Sequence, residues 1–84
     1  MNKKVTVEQI NEIMESSKYQ TFHAFGKQCI VVALLPNGFT VVGESACVDP
    51  NNYDEEIGYK LALKRIKDKI WELEGYKLQN ELNK

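Results

Sequence analysis

The chain has 84 residues, with 11 Lys and Arg against 12 Asp and Glu, so its formal net charge is −1. A chain of this length forms a single small domain, residues 1–84, that buries only about 60 to 65 per cent of its extended surface on folding. The near-neutral charge argues against a protein that binds duplex DNA by neutralising phosphates, and no apolar run is long enough to cross a membrane.

The chain has too few cysteine and histidine residues for disulfide bonds or a bound metal to stabilise so small a domain. Cys29 and Cys47 do not make a disulfide framework, and with His23 they do not form a ligand spacing typical of zinc. No apolar secretion segment opens the chain. We therefore expect reduced thiols, no metal, no cofactor and a cytosolic location.

The first predicted element is a short amphipathic helix over about residues 7–17. Thr6 and Gln9 have the spacing of a capping box, and Val5 and Ile10 have that of a hydrophobic staple. The aromatic segment that follows, residues 19–25, is interpreted as either an extended segment or a loop.

The middle of the chain predicts a β-hairpin. Residues 28–35 (QCIVVALL) and 39–45 (FTVVGES) are apolar and β-branched, and Asn37-Gly38 between them favours a two-residue type I′ turn. That turn predicts these pairs: Leu35 with Thr40, Ala33 with Val42, Val31 with Glu44, and Cys29 with Ala46. In this register both faces of the hairpin are apolar, whereas a hairpin with one solvated face should alternate apolar with polar residues.

A long second helix is predicted from a cap at Asn52 to about Glu74, with Gly75 as its stop. One broad apolar stripe would pack on the hairpin; it consists of Tyr59, Ala62, Leu63, Ile66, Ile70 and Leu73. A narrower stripe on nearly the opposite side, formed by Ile57, Leu61 and Trp71, has no evident partner within the chain.

The sequence therefore predicts an α+β domain with more apolar surface than one copy can bury. We expect a homodimer or homotetramer, with Ile57, Leu61 and Trp71 at the oligomer interface. The alternative is that the first helix and residues 75–82 fold back over the surplus surface.

No recognisable catalytic centre is present, so we expect a protein that is not an enzyme. His23 with a cysteine, or Glu44 with Asp49, would be a catalytic pair only if the fold placed them in a cleft. The acidic residues at the start of the second helix would repel a phosphate, and the glycines lack the spacing of a phosphate loop.

Four stretches occur in a distinctive order: NGF at the turn, GESACVDP after it, NYDEEIG at the start of the long helix and IWELEGYKL near its end. Together they resemble a family of small tailed-phage proteins, with members in an N4-like coliphage and a Shigella phage, over roughly residues 19–79. The resemblance implies a compact phage accessory protein in the cytoplasm of the infected bacterial host. It carries over no catalytic residues.

By analogy with other small phage proteins, the leading hypothesis is an anti-defence protein that sequesters a cyclic nucleotide second messenger without cleaving it. A cyclic dinucleotide needs aromatic platforms, cations and neutral polar groups. The candidate ligand-binding residues are Tyr19, His23, Phe25, Lys27, Ser45, Asn51, Tyr53, Lys60 and Arg65. The same aromatic residues could instead be core, and the same polar ones turn residues. The alternative function is an inhibitor that binds a host protein through the exposed apolar helix face.

Overall fold

The computed structural model describes residues 4–83 and has an α+β fold, as predicted. Its elements, in chain order, are α1 (Val7–Ser16), β1 (Lys18–Ala24), β2 (Gln28–Leu34), β3 (Thr40–Ala46), a 3-10 turn (Pro50–Asn52) and α2 (Glu55–Leu82). The three strands form one antiparallel sheet in the order β1-β2-β3. Among these elements, no helix is both long and apolar enough to span a bilayer.

The capping box at the start of α1 is confirmed. The Thr6 hydroxyl accepts a hydrogen bond from the Gln9 amide at 3.2 Å, and the Gln9 side-chain oxygen accepts one from the Thr6 amide at 2.8 Å. The helix ends at Ser16, close to the predicted boundary, and Ile10 is fully buried. The aromatic segment, which the sequence left open between strand and loop, forms β1.

The predicted two-residue turn between β2 and β3 is wrong. The Leu35 amide donates to the Phe39 carbonyl at 2.8 Å and the Gly38 amide to the Leu35 carbonyl at 2.9 Å, so the loop contains three residues, 36–38. Pro36 has the fixed φ that suits the first central position of a type I turn, and Gly38, with φ 92°, takes the left-handed position that follows.

The longer loop shifts the pairing of β3 by one residue from the predicted register. Ala33 pairs with Val41, Val31 with Gly43 and Cys29 with Ser45. Because side chains alternate between the two faces of a strand, this shift reverses the faces predicted for β3. Val41, Gly43 and Ser45 are the buried residues of β3, and Thr40, Val42, Glu44 and Ala46 are exposed.

The long helix differs from prediction at both ends. Its cap is Asp54, whose carboxylate accepts from the Glu56 and Ile57 amides, while Asn52 lies in the preceding 3-10 turn. The helix continues through Gly75 to Leu82 instead of stopping or folding back. A glycine inside a helix costs only about 1 kcal/mol, and here no proline follows it to end the helix.

The core lies between α2 and one face of the sheet, with α1 contributing Ile10. Four α2 residues at intervals of four are buried: Gly58, Ala62, Ile66 and Ile70. The predicted second stripe is not continuous, because Trp71 is half-buried and packs against this core, whereas Ile57 and Leu61 are exposed. The self-association predicted for the stripe stays a prediction.

Candidate functional site

One row of side chains crosses the helix-facing side of the sheet at the end nearest the start of α2. His23 pairs with Cys29 and Cys29 with Ser45, so one residue from each strand lies in the row. Directly opposite residues of antiparallel strands project to the same face. The corrected register of β3 is what places Ser45 in this row.

Tyr53 closes the row from above. Its hydroxyl is hydrogen-bonded to His23 Nδ1 at 2.9 Å, and the two rings meet edge to face with centroids 6.1 Å apart. The 3-10 turn that precedes Tyr53 is capped by Asp49, whose carboxylate accepts from the Asn51 amide at 2.9 Å. Burial, and next the nearby Cys29 thiol, raise the pKa of Tyr53 above its usual value.

The buried part of this row is packed and its polar groups are satisfied. The Ser45 hydroxyl donates to the Gly58 carbonyl at 2.6 Å, and Cys29 has no exposed surface. A side chain on Gly58 would meet Ser45 Oγ, Tyr53 Cε1 and Cys29 Cβ at 3.3 to 3.4 Å. The arrangement therefore seals the polar end of the core and presents only the His23 and Tyr53 edge to solvent.

Two further predicted ligand residues, Phe25 and Lys27, lie in the turn at this same end of the sheet. Phe25 is 92% exposed and has a left-handed backbone, with φ 55°. Lys27 Nζ donates to the Val48 carbonyl at 3.3 Å. Asn51 is exposed in the 3-10 turn.

The other predicted ligand residues lie elsewhere. The Tyr19 hydroxyl donates to the Met14 carbonyl at 2.6 Å, against α1, and burial raises the pKa of Tyr19. Lys60 pairs with Glu56 at 3.2 Å on the helix surface, and Arg65 donates to the Glu44 carbonyl at 2.6 Å. The fold of one chain thus gathers His23, Ser45 and Tyr53 but does not gather all nine residues into one pocket.

Two open grooves lie where α1 meets the second half of α2, away from the predicted ligand residues. The larger, about 370 Å³, is bounded by the β2–β3 turn; its lining residues are Ile13, Leu35, Pro36, Asn37, Phe39, Ile70, Leu73, Glu74 and Lys77. The smaller, about 270 Å³, runs between Val5 and Leu78. No group of three or more metal-ligating side chains converges within residues 4–83.

The more prominent feature is the face of the sheet that α2 does not cover, which we call the open face. Five large apolar side chains lie on it: Phe22, Ile30, Val32, Leu34 and Val42. Phe22, Leu34 and Val42 are 41 to 51% exposed. Five polar side chains lie around these residues on the same face: Lys18, Gln20, Gln28, Thr40 and Glu44. The sequence predicted two apolar faces on β2, but the register error assigned Val42 to the wrong face.

A family model described as the Phage protein (N4 Gp49/phage Sf6 gene 66) family matches residues 5–82. The chain belongs to this family of phage proteins. The match includes α1, which the resemblance in the sequence had left outside. No curated protein and no solved structure matches the chain. For this phage protein, any assignment of function therefore depends on the surfaces described above.

Proposed function

We propose that this protein acts by binding, as a phage accessory protein that holds a host protein against the open face of its sheet. The observation that supports this proposal is the composition of that face. An antiparallel sheet with one solvated face normally places polar residues there. Here the apolar side chains of three adjacent strands form one patch at the surface.

A contiguous apolar patch on a small domain is typical of a protein interaction site. The centre of the patch, Ile30 and Val32 on the middle strand, is half-buried by its neighbours. The polar residues of the open face, Lys18, Gln20, Gln28, Thr40 and Glu44, give it the polar margin that many interfaces have around an apolar centre. The partner we expect is a host protein with an apolar surface, and the proposal moves the binding surface from the helix face of the sequence hypothesis to the sheet.

The test compares two lysine substitutions by stoichiometric capture of a host protein from cells. Val42→Lys places a charge on the open face beside Val32, and we expect it to reduce affinity for the captured protein at least tenfold. Ile57→Lys is the matched control, since Ile57 is 57% exposed, against 41% for Val42, but lies on α2. The proposal is supported if the Ile57→Lys variant still captures the host protein and the Val42→Lys variant does not. The opposite pattern, or equal capture by both variants, overturns it.

A second candidate function is sequestration of a cyclic nucleotide without cleavage, in keeping with the sequence hypothesis. Phe25 supports it, because an aromatic ring held almost fully in solvent, on a backbone that bulky residues rarely adopt, is a ready platform for a base. Lys27 and the His23 and Tyr53 edge lie at the same end of the sheet. Stacking on such a ring contributes about 1 to 3 kcal/mol per base.

This candidate is tested by melting the protein with a panel of cyclic dinucleotides. Sequestration predicts a rise of several degrees in melting temperature, with the nucleotide recovered intact after heating. Phe25→Ala should abolish the rise, and Phe39→Ala, at the other hairpin turn, should leave it unchanged. A flat response of the native protein across the panel would remove this candidate.

A further inference from the structure

The rest of the chain covers one edge of the sheet, β3, but not the other, β1. The Leu35 and Phe39 backbones bond to each other, so the alternation along β3 directs the carbonyls of Val42 and Glu44 outward. Lys69 donates to the Val42 carbonyl and Arg65 to the Glu44 carbonyl. Both donors come from α2, so this edge is covered by the chain itself.

The β1 edge has no such cover. Because the odd-numbered residues of β2 bond to β3, its even-numbered residues bond to β1. The backbone groups of Tyr19, Thr21 and His23 therefore point away from the sheet. Within residues 4–83, neither a side chain nor the backbone forms a hydrogen bond with them.

Nothing in β1 itself discourages pairing either. Edge strands are commonly protected by proline, by a bulge or by central charges. β1 pairs without interruption over its full length, and in KYQTFHA the one full charge, Lys18, is at the end. Its side chains are mostly exposed.

We propose that a second copy of this chain pairs with β1, antiparallel and about a two-fold axis at Thr21. Thr21 would then face the partner's Thr21, and Tyr19 would face the partner's His23. In this register the free backbone N–H and C=O groups of Tyr19, Thr21 and His23 face those of the partner's His23, Thr21 and Tyr19. Each facing pair of residues exchanges two hydrogen bonds. The two three-stranded sheets become one.

Self-complementarity is the reason for choosing a second copy over a foreign strand. Thr21 is the middle residue of β1, so this register pairs the whole strand with itself. Lys18 faces the partner's Ala24, so no like charges meet, and Thr opposite Thr is a favourable cross-strand pair. A two-fold axis closes the assembly at two copies.

The pairing also creates a boundary that one copy lacks. Tyr19 and His23 lie near opposite ends of β1 in one chain, but across the boundary they are neighbours on the helix-facing side. The open faces of the two copies become continuous, since directly paired strands share their faces. This proposal does not depend on the proposed function, because neither a host protein nor a nucleotide is needed for it.

A charge-swap experiment tests the register through oligomeric mass. The native protein should have twice the 9.7 kDa mass of one chain. Thr21→Lys and Thr21→Glu should each be monomers, because like charges face each other across the axis, and an equimolar mixture should recover the dimer. Thr40→Lys, on the covered β3 edge, should remain dimeric. A native monomer at high concentration, or dimers that persist in both Thr21 variants, overturns the proposal.

A crosslink gives an independent measurement that does not rely on losing structure. In a Cys47→Ser background, Thr21→Cys should form an intermolecular disulfide on mild oxidation, because paired residues of this kind have Cα atoms about 5.5 Å apart. Thr40→Cys is the control and should stay reduced. Crosslinking of Thr40→Cys with none of Thr21→Cys would place the contact at the other edge and contradict the proposal.

Discussion

At the residue scale, two glycines have opposite roles. A Cβ on Gly43 would lie 2.2 Å from the Ala62 carbonyl oxygen and 2.7 Å from a side-chain carbon of Ile66, so α2 approaches the sheet as closely as it does because Gly43 has no side chain. Gly75 lies inside α2 with nothing near its missing Cβ. The first glycine is required by packing, while the second only weakens the helix.

The two glycines should therefore respond in opposite directions to the same substitution. Gly43→Ala should lower the free energy of unfolding by about 3 kcal/mol, since backbone atoms of α2 must move. Gly75→Ala should raise it by roughly 0.5 to 1 kcal/mol. Urea unfolding measures both. If Gly43→Ala left the free energy of unfolding unchanged, the sheet and α2 would not be in close contact.

The partly buried Tyr19 predicts a loss of stability in alkali. Burial raises the pKa of Tyr19 above its unfolded value of about 10, and the neutral phenol donates to the Met14 carbonyl. The folded state thus holds this proton longer than the unfolded state does. Its contribution is fully present below about pH 10 and is lost as the pH rises through the folded pKa. Above pH 10, the free energy of unfolding measured in urea should fall less steeply with pH in Tyr19→Phe than in the native protein. Equal slopes for the two proteins would contradict this.

At the element scale, α1 is attached to the domain mainly by burial. Its own stability is small, because an isolated helix of ten residues is marginal in water even with a good capping box. Ile10 has no exposed surface, while Val7, one turn earlier, is largely exposed. The docking of α1 also forms one wall of both grooves along α2.

Ile10→Ala should lower the free energy of unfolding by about 2 to 5 kcal/mol, the range for emptying a fully buried aliphatic site. Val7→Ala, which removes an exposed side chain from the same helix, should change it by less than about 0.5 kcal/mol. Thermal unfolding monitored by circular dichroism compares the two. Equal effects would show that Ile10 contributes helix propensity and not packing.

At the scale of the whole molecule, the length of α2 relative to the sheet determines where apolar surface is left over. A helix of 28 residues is about 42 Å long, whereas strands of 7 residues reach only about 23 Å. The second half of α2 therefore extends beyond the strands toward α1. The sheet has one helix-covered face and one open face, so part of the surplus apolar surface is on the sheet. The rest is along α2, where five large apolar side chains are exposed: Ile57, Leu61, Leu73, Tyr76 and Leu82.

Trp71 should behave as a core residue. Trp71→Lys should lower the melting temperature by several degrees, because its half-buried ring packs against the core. Leu61→Lys, on the exposed side of α2, should leave the melting temperature nearly unchanged. Scanning calorimetry distinguishes them. An unchanged melting temperature in Trp71→Lys, with a change in oligomeric mass, would restore Trp71 to an interface.

The sequence by itself determined most of the elements of this protein, but it left the strand β1 open between strand and loop. The Thr6 and Gln9 spacing predicted α1, and the β-branched runs around Asn37-Gly38 predicted the hairpin. The broad apolar stripe predicted the buried side of α2, although Leu73, its last member, is 39% exposed. These are local signals, in which each residue interacts with others a few positions away.

Tertiary structure decided which faces those elements present to one another. Pro36 lies in the loop, which therefore has three residues instead of the predicted two. The resulting register places Val42 on the open face and Ser45 in the row with His23 and Cys29. Likewise, α2 continues through Gly75 to Leu82, and Arg65 and Lys69 cover one sheet edge while the other stays open. Register, edge cover and helix length depend on contacts between distant segments, and these contacts form only when the chain is folded.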